Sequence, residues 1–93
     1  MEKNEKLNLI NGSFSQEEAK EILLNMITSK INYHDMKSWS SMERFGKSDA
    51  TSEKRIIELK NEMIKLETIL KRVEKSDKKL LINSDIFISI EED

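Results

Sequence analysis

The feature that most constrains this chain is its lack of helix and strand breakers, since its 93 residues include no proline and only two glycines. Proline and glycine interrupt regular structure most strongly, so we expect few and long elements. Gly12 and Gly46 mark the two expected boundaries: a turn at Asn11-Gly12 and the end of a helix at Gly46. We predict one domain over residues 1–93, with a frayed tail at residues 1–5.

The first long element is a predicted helix over residues 16–45. Ser15 and Glu18 have the spacing of a capping box, and Phe14 precedes the cap as a hydrophobic staple would. The apolar residues that follow have helical spacing: Ala19, Ile22, Leu23, Met26, Ile27 and Ile31. Three serines within residues 38–41 are weak helix formers, so any irregularity of the helix is expected there.

A short polar loop over residues 46–51 precedes a second predicted helix over residues 52–76. Short connections favour antiparallel neighbours, so the two helices should form a hairpin. The second helix carries a heptad seam of alternating three- and four-residue steps: Ile56, Leu59, Met63, Leu66, Leu70 and Val73. Ile57, Ile64 and Ile69 flank the seam, which predicts a buried face broader than a two-stranded coiled coil needs.

Both ends of the chain are predicted strands, at residues 6–11 and 79–90, followed by an acidic tail at residues 91–93. The second strand has apolar residues of one parity, typical of a strand with one buried face: Leu80, Ile82, Ile86, Ile88 and Ile90. Residues 83–85 are the expected position of a bend or bulge. A helical hairpin brings both strands to one end, where they can pair antiparallel. The predicted fold is α+β, mainly α, in the order β-α-α-β.

Charge and composition narrow the class of protein. Sixteen Lys and Arg against eighteen Asp and Glu give a net charge of -2, which disfavours a general binder of polyanions. The chain has no cysteine, so it has neither disulfides nor thiolate metal ligands. We see no signal peptide and no apolar segment long enough to span a membrane, so we expect a cytoplasmic protein.

No catalytic, metal-binding or cofactor-binding site is predicted. His34 is the only histidine, and its helical neighbours Lys30 and Ser38 do not complete a divalent metal site. We expect this imidazole to hydrogen-bond at or near the helix interface. Gly-rich phosphate loops, zinc patterns and nucleophile elbows are missing from the sequence, so we predict that the protein is not an enzyme.

Association with itself is the favoured hypothesis, because a two-stranded sheet is marginal alone and leaves two edges open. We expect a homodimer, made by sheet extension or by helical packing, and possible contact with one further protein. The strand residues expected to take part are Ile86, Ile88 and Ile90. The aromatic residues Tyr33, Trp39 and Phe45 either form an interaction hot spot or fill the core at the tip of the hairpin.

The alternative hypothesis is a small regulator associated with nucleic acid. Its contacts to phosphate would come from the basic end of the second helix: Lys71, Arg72, Lys75, Lys78 and Lys79. Glu74 and Asp77 interrupt this basic run, and a solvated helix end explains it without any function. No aromatic residue lies between these basic residues to stack on a base.

Two blocks of sequence carry a resemblance. Residues 29–34 (Ser-Lys-Ile-Asn-Tyr-His) and residues 43–47 (Glu-Arg-Phe-Gly-Lys), with Asp49, resemble short uncharacterised bacterial proteins of helix-loop-helix layout. The resemblance covers most of the chain. It implies a bacterial origin and the helical hairpin, and it implies no activity.

Overall fold

The computed structural model describes residues 4–91, which form four elements. In chain order these are strand β1 (Asn4–Phe14), helix α1 (Gln16–Phe45), helix α2 (Ala50–Val73) and strand β2 (Leu80–Ser89). The two strands pair antiparallel in a two-stranded sheet, here called the strand pair. α1 and α2 pack against each other as the helix pair. The predicted β-α-α-β fold is confirmed.

Helix α1 has the ends that the sequence predicts. The Ser15 hydroxyl accepts a hydrogen bond from the backbone N–H of Glu18, and the Glu18 carboxylate accepts one from the N–H of Ser15, both at 3.1 Å. At the other end Gly46 has φ 72°, and its N–H donates to the Met42 carbonyl at 2.9 Å. The helix runs to residue 45 as predicted, and it is continuous through residues 38–41, the place named for any irregularity.

The predicted seam of α2 is the core of the helix pair. Ile56, Leu59 and Leu66 are buried, as is Ala19 on α1, and the remaining seam residues are half-buried. The prediction of a broader buried face on α2 is wrong, because Ile57, Ile64 and Ile69 are exposed. At about 100° per residue, Ile57 and Ile64 lie far around α2 from the seam.

Polar side chains join the two helices at the tip of the hairpin. Ser52 is 1% exposed, and its hydroxyl oxygen lies 3.2 Å from Nδ1 of His34. The buried Ser38 hydroxyl donates to the Glu53 carboxylate at 2.6 Å. Asp49 caps α2 by accepting from the N–H of Ser52 at 2.9 Å. Small hydroxyl side chains thus fill positions where larger residues would hold the helices apart.

One glutamine ties the other end of the helix pair together. Nε2 of Gln16 lies 2.8 Å from the carbonyl oxygen of Val73 and 3.0 Å from those of Ser76 and Lys78. The Ser76 hydroxyl also donates to the Val73 carbonyl, at 2.7 Å. These bonds satisfy carbonyl groups that a helix end leaves without partners, and α2 ends at Val73 rather than at the predicted residue 76.

Strand β1 is longer than predicted in both directions. The prediction of a turn at Asn11-Gly12 is wrong. Gly12 has no positive φ and pairs with Ile82, and the strand continues to Phe14. Cross-strand pairing with β2 therefore outweighs the local turn preference. A Cβ on residue 12 would lie 3.5 Å from the aromatic ring of Phe14, which is an ordinary contact distance, so the ring does not require glycine at this position.

The predicted tails are only partly within the described residues. Asn4 and Glu5, expected in a frayed tail, belong to β1, and residues 1–3 lie outside the described part. β2 ends at Ser89, so Ile90 and Glu91 follow the strand rather than belonging to it. The rest of the acidic tail, residues 92–93, also lies outside.

A β-bulge changes the register midway along the strand pair. Asn8 lies opposite Asp85 and Ile10 lies opposite Ser84, so Leu9 is an extra residue without a partner. The irregularity expected at residues 83–85 is at this level of the sheet, but the additional residue is in β1. A bulge shifts the alternation of side chains between the two faces by one residue.

The molecule is thin and elongated. Its principal extents are 50 × 37 × 15 Å, and the strand pair touches the helices only through limited contacts with α1. Neither described helix has a sufficiently long, uncharged apolar stretch to cross a bilayer.

Candidate interaction surface

The strand pair has two faces of different chemistry, because side chains directly opposite on paired strands point to the same side. The apolar face is defined by seven residues: Leu7, Ile10, Phe14, Leu80, Ile82, Ile86 and Ile88. The other paired residues on it are Glu5, Gly12 and Ser84. The bulge at Leu9 is what allows Leu7 and Ile10, of opposite parity in the sequence, to share this face.

The apolar face is covered near the helices and open farther away. Phe14, Leu80 and Ile82 are half-buried close to the helix ends. At the far end Leu7, Ile86 and Ile88 are 48%, 40% and 43% exposed. The predicted interaction residues Ile86 and Ile88 therefore lie together on an open apolar surface, and the exposed Ile90 follows just beyond the strand.

The polar face is the opposite side of the strand pair, and its polar groups bond to one another. Nδ2 of Asn8 donates to the side-chain oxygens of Asn83 at 2.9 Å and Asp85 at 2.7 Å. The Ser89 hydroxyl donates to the Asn4 side chain at 2.7 Å. Two apolar residues interrupt this face, Phe87 and Leu81, which are 76% and 86% exposed.

The three predicted aromatic residues do not form one cluster. Tyr33, Trp39 and Phe45 are spaced by six residues, so successive side chains are turned by about 240° around α1. They are 55%, 62% and 71% exposed, which excludes them from the core of the hairpin within one chain. The Tyr33 ring instead meets the His34 ring edge-on and carries the Lys30 ammonium at 4.9 Å.

Trp39 has apolar neighbours of its own. Met36 and Met42, three residues away on each side, share its part of the α1 surface, and both are exposed. Trp39 and Met36 line a shallow depression with Asn32 and Asp35. The apolar surface around Trp39 is therefore formed by residues of α1.

The basic residues of the alternative hypothesis lie beside carboxylates. Lys71 lines a shallow apolar-floored depression that Glu17, Glu67 and Glu74 also line. Lys79 lies close enough to Glu18 to contribute to the lowered pKa of that carboxyl. Arg72 is on α2, whereas Lys75, Lys78 and Lys79 are on the connection to β2. The surface is of mixed charge rather than uniformly positive.

Two carboxyl groups at opposite ends of the helix pair, those of Glu18 and Asp49, have lowered pKa values. The hydrogen bond from the Ser15 backbone, followed by that of its hydroxyl, lowers the pKa of Glu18. Ser52, through its side chain and then its backbone, lowers the pKa of Asp49. Both groups serve as helix caps, so these shifts have a structural cause.

The polar tip does not present an open site. His34 faces the buried Ser52 within the helix interface, as expected for an interface imidazole. Within residues 4–91, no three His, Asp or Glu side chains are grouped so that they could hold a metal ion.

Gln16, Ser38 and Ser52 each make a contact between elements that was not predicted from the sequence. Ser38 had a usable signal, since it lies seven residues after Ile31 and continues the α1 stripe that faces α2. No sequence pattern indicates the role of Gln16, because its partners Val73, Ser76 and Lys78 are more than fifty residues away in the sequence.

No family model, curated protein or solved structure matches this chain.

Proposed function

We propose that this protein is a non-enzymatic structural or interaction protein that acts as a homo-oligomer. One observation carries the proposal: among residues 4–91, nothing is packed on the far half of the apolar face of the strand pair. Domains normally bury such a face in a second layer of structure. A second copy of the chain would supply that layer.

The surface area of the chain supports association. A compact chain of 10.9 kDa is expected to have about 5,600 Å² of accessible surface. This chain has 7,845 Å², an excess of about 2,200 Å² over that expectation. A standard interface removes about 800 Å² from each partner. The excess is large enough for such an interface.

Many large apolar side chains are exposed in this structure. They are exposed on both helices as well as on the strand pair, including Met36 and Trp39 on α1 and Ile57 and Ile64 on α2. Monomeric soluble proteins rarely expose large contiguous apolar patches. Several surfaces of this chain are therefore suited to protein contacts, and on the strand pair Leu7, Ile86 and Ile88 share one face.

Sedimentation equilibrium over a hundredfold range of concentration tests the proposal. We expect a species of twice the chain mass or more that dissociates on dilution. Size exclusion with light scattering, which is insensitive to the elongated shape, provides the second measurement of mass. A chain that stays monomeric at the highest concentration in both experiments would overturn the proposal.

A further inference from the structure

We infer that the second copy of this chain binds on the apolar face of the strand pair, so that two strand pairs stack face to face. This inference rests on the proposed self-association and names its surface. The contact residues would be Leu7, Ile86 and Ile88 of each copy, with Ile10 and Ile82 deeper in the same face.

The chemistry of the apolar face suits a copy of itself. Among its paired residues only Glu5 is charged, and Glu5 lies near the outer end of the sheet, opposite Ile88. A two-fold contact brings the same patch of both copies together, so it must not oppose like charges at its centre. An uncharged centre of leucine and isoleucine meets that requirement.

Stacking also accounts for the open surface better than edge pairing does. Extending the sheet through a strand edge would satisfy backbone groups, but Leu7, Ile86 and Ile88 would remain in water. Two sheets packed face to face lie about 10 Å apart, and their inner side chains interdigitate. Of these two arrangements, only stacking removes the exposed end of the apolar face from water.

The polar face is less suitable than the apolar face as a contact surface for a second copy. Its Asn8, Asn83 and Asp85 side chains already bond to one another, and covering them would remove polar groups from water without new partners. Phe87 and Leu81 are more exposed than any residue of the apolar face, yet they stand apart at opposite ends of β2. They provide a matched control.

The test compares two double variants by sedimentation equilibrium. In Ile86→Gln with Ile88→Gln, the open end of the apolar face is made polar without adding charge. In Leu81→Gln with Phe87→Gln, the same number of apolar side chains is removed from the polar face. We expect the first variant to raise the dissociation constant at least about 30-fold, as loss of interface hot spots does, and the second to change it by less than about threefold.

A cysteine experiment shows directly which face is covered when copies associate. The chain has no natural cysteine, so Ile88→Cys and Phe87→Cys each provide a single thiol on adjacent residues of opposite faces. We expect the thiol at position 88 to react more slowly with a maleimide as protein concentration rises, and the thiol at position 87 to react at a constant rate.

The outcomes separate this inference from the proposed function. The stacking is overturned, and self-association is left intact, if the Ile86 and Ile88 double variant has the same dissociation constant as the wild type. The same conclusion follows if the thiol at position 88 reacts with the maleimide at one rate at all protein concentrations. Equal weakening by both double variants would also overturn it. A monomeric wild-type chain would remove both. Circular dichroism of each variant checks that the helices are retained.

Discussion

The helix pair and the strand pair each have an apolar face, but among residues 4–91 only the face of the helix pair is covered along its length. The α2 seam residues Ile56, Leu59 and Leu66 are buried against α1, and the tip is closed by hydrogen-bonded serines. The strand pair has a comparable apolar face, yet Ile86 and Ile88 remain accessible. A clean periodic pattern therefore identifies which side of an element avoids water, and it does not say whether the cover comes from the same chain.

The largest expected effect separates the two regions directly. Leu66→Ala should lower the free energy of unfolding by about 2–5 kcal/mol, because it leaves a cavity between α1 and α2. Ile86→Ala, measured at a concentration where the chain is monomeric, should cost less than about 1 kcal/mol because its side chain is already partly in water. Urea denaturation of both variants measures the difference. Equal costs would mean that the strand face is packed within one chain.

The second prediction concerns the junction of the two regions. Gln16→Glu should destabilise the protein by about 2 kcal/mol, since a carboxylate would face three carbonyl oxygens that now accept from Nε2. Gln16→Ala should cost about 1 kcal/mol, since it only removes the donor. Thermal and urea denaturation compare the two. If Gln16→Glu is the milder change, the favourable charge at a helix N-terminus outweighs the lost bonds.

The two glycines give a smaller and sharper contrast. Gly46→Ala should cost about 1 kcal/mol, because residue 46 has φ 72° and a side chain is strained there. Gly12→Ala should change stability by less than about 0.5 kcal/mol, because the new Cβ would meet the Phe14 ring at 3.5 Å, an ordinary contact. Denaturation of both variants is the measurement. A large cost at position 12 would mean that the strand pair needs glycine there.

The smallest effect is a pH dependence set by the two cap carboxylates. The pKa of Asp49 is lowered from 3.8 and that of Glu18 from 4.5 when the chain folds. Each carboxylate therefore stabilises the fold above its unfolded pKa, and this contribution is lost as pH falls through the lower folded pKa. Asp49→Asn keeps a capping oxygen without titrating, so its stability should fall less steeply than the wild type's below about pH 4.5.

Denaturation at pH 7 and at several lower values measures these slopes. Glu18→Gln is the matched variant at the strand end of the helix pair, since glutamine also completes a capping box. Identical slopes in the wild type and both variants would contradict the role assigned to these caps.

Local patterns were sufficient to predict most of the fold. The capping box at Ser15, the C-cap at Gly46 and the heptad seam of α2 each act over a few residues, and each is confirmed. The order and pairing of the four elements followed from the antiparallel hairpin. The predicted association through Ile86, Ile88 and Ile90 remains a prediction.

Features that depend on distant partners were not predictable. The turn at Asn11-Gly12 was wrong because pairing with β2, some seventy residues later, keeps β1 extended. The bonds of Gln16 join α1 to the segment after α2. The serines within residues 38–41 looked like weak points of a helix, but Ser38 is buried and bonded to Glu53 in a neighbouring element.

The unpaired Leu9 also restricts how this segment can change length. Deleting Leu9 would leave Ile10 opposite Ser84, Asn8 opposite Asp85 and Leu7 opposite Ile86 in unbroken alternation, so the strand could lose that residue without turning any side chain over. Inserting one residue between Asn4 and Asn8 would instead exchange the sides of the residues before it. The first strand should therefore tolerate the loss of one residue at the bulge better than the gain of one.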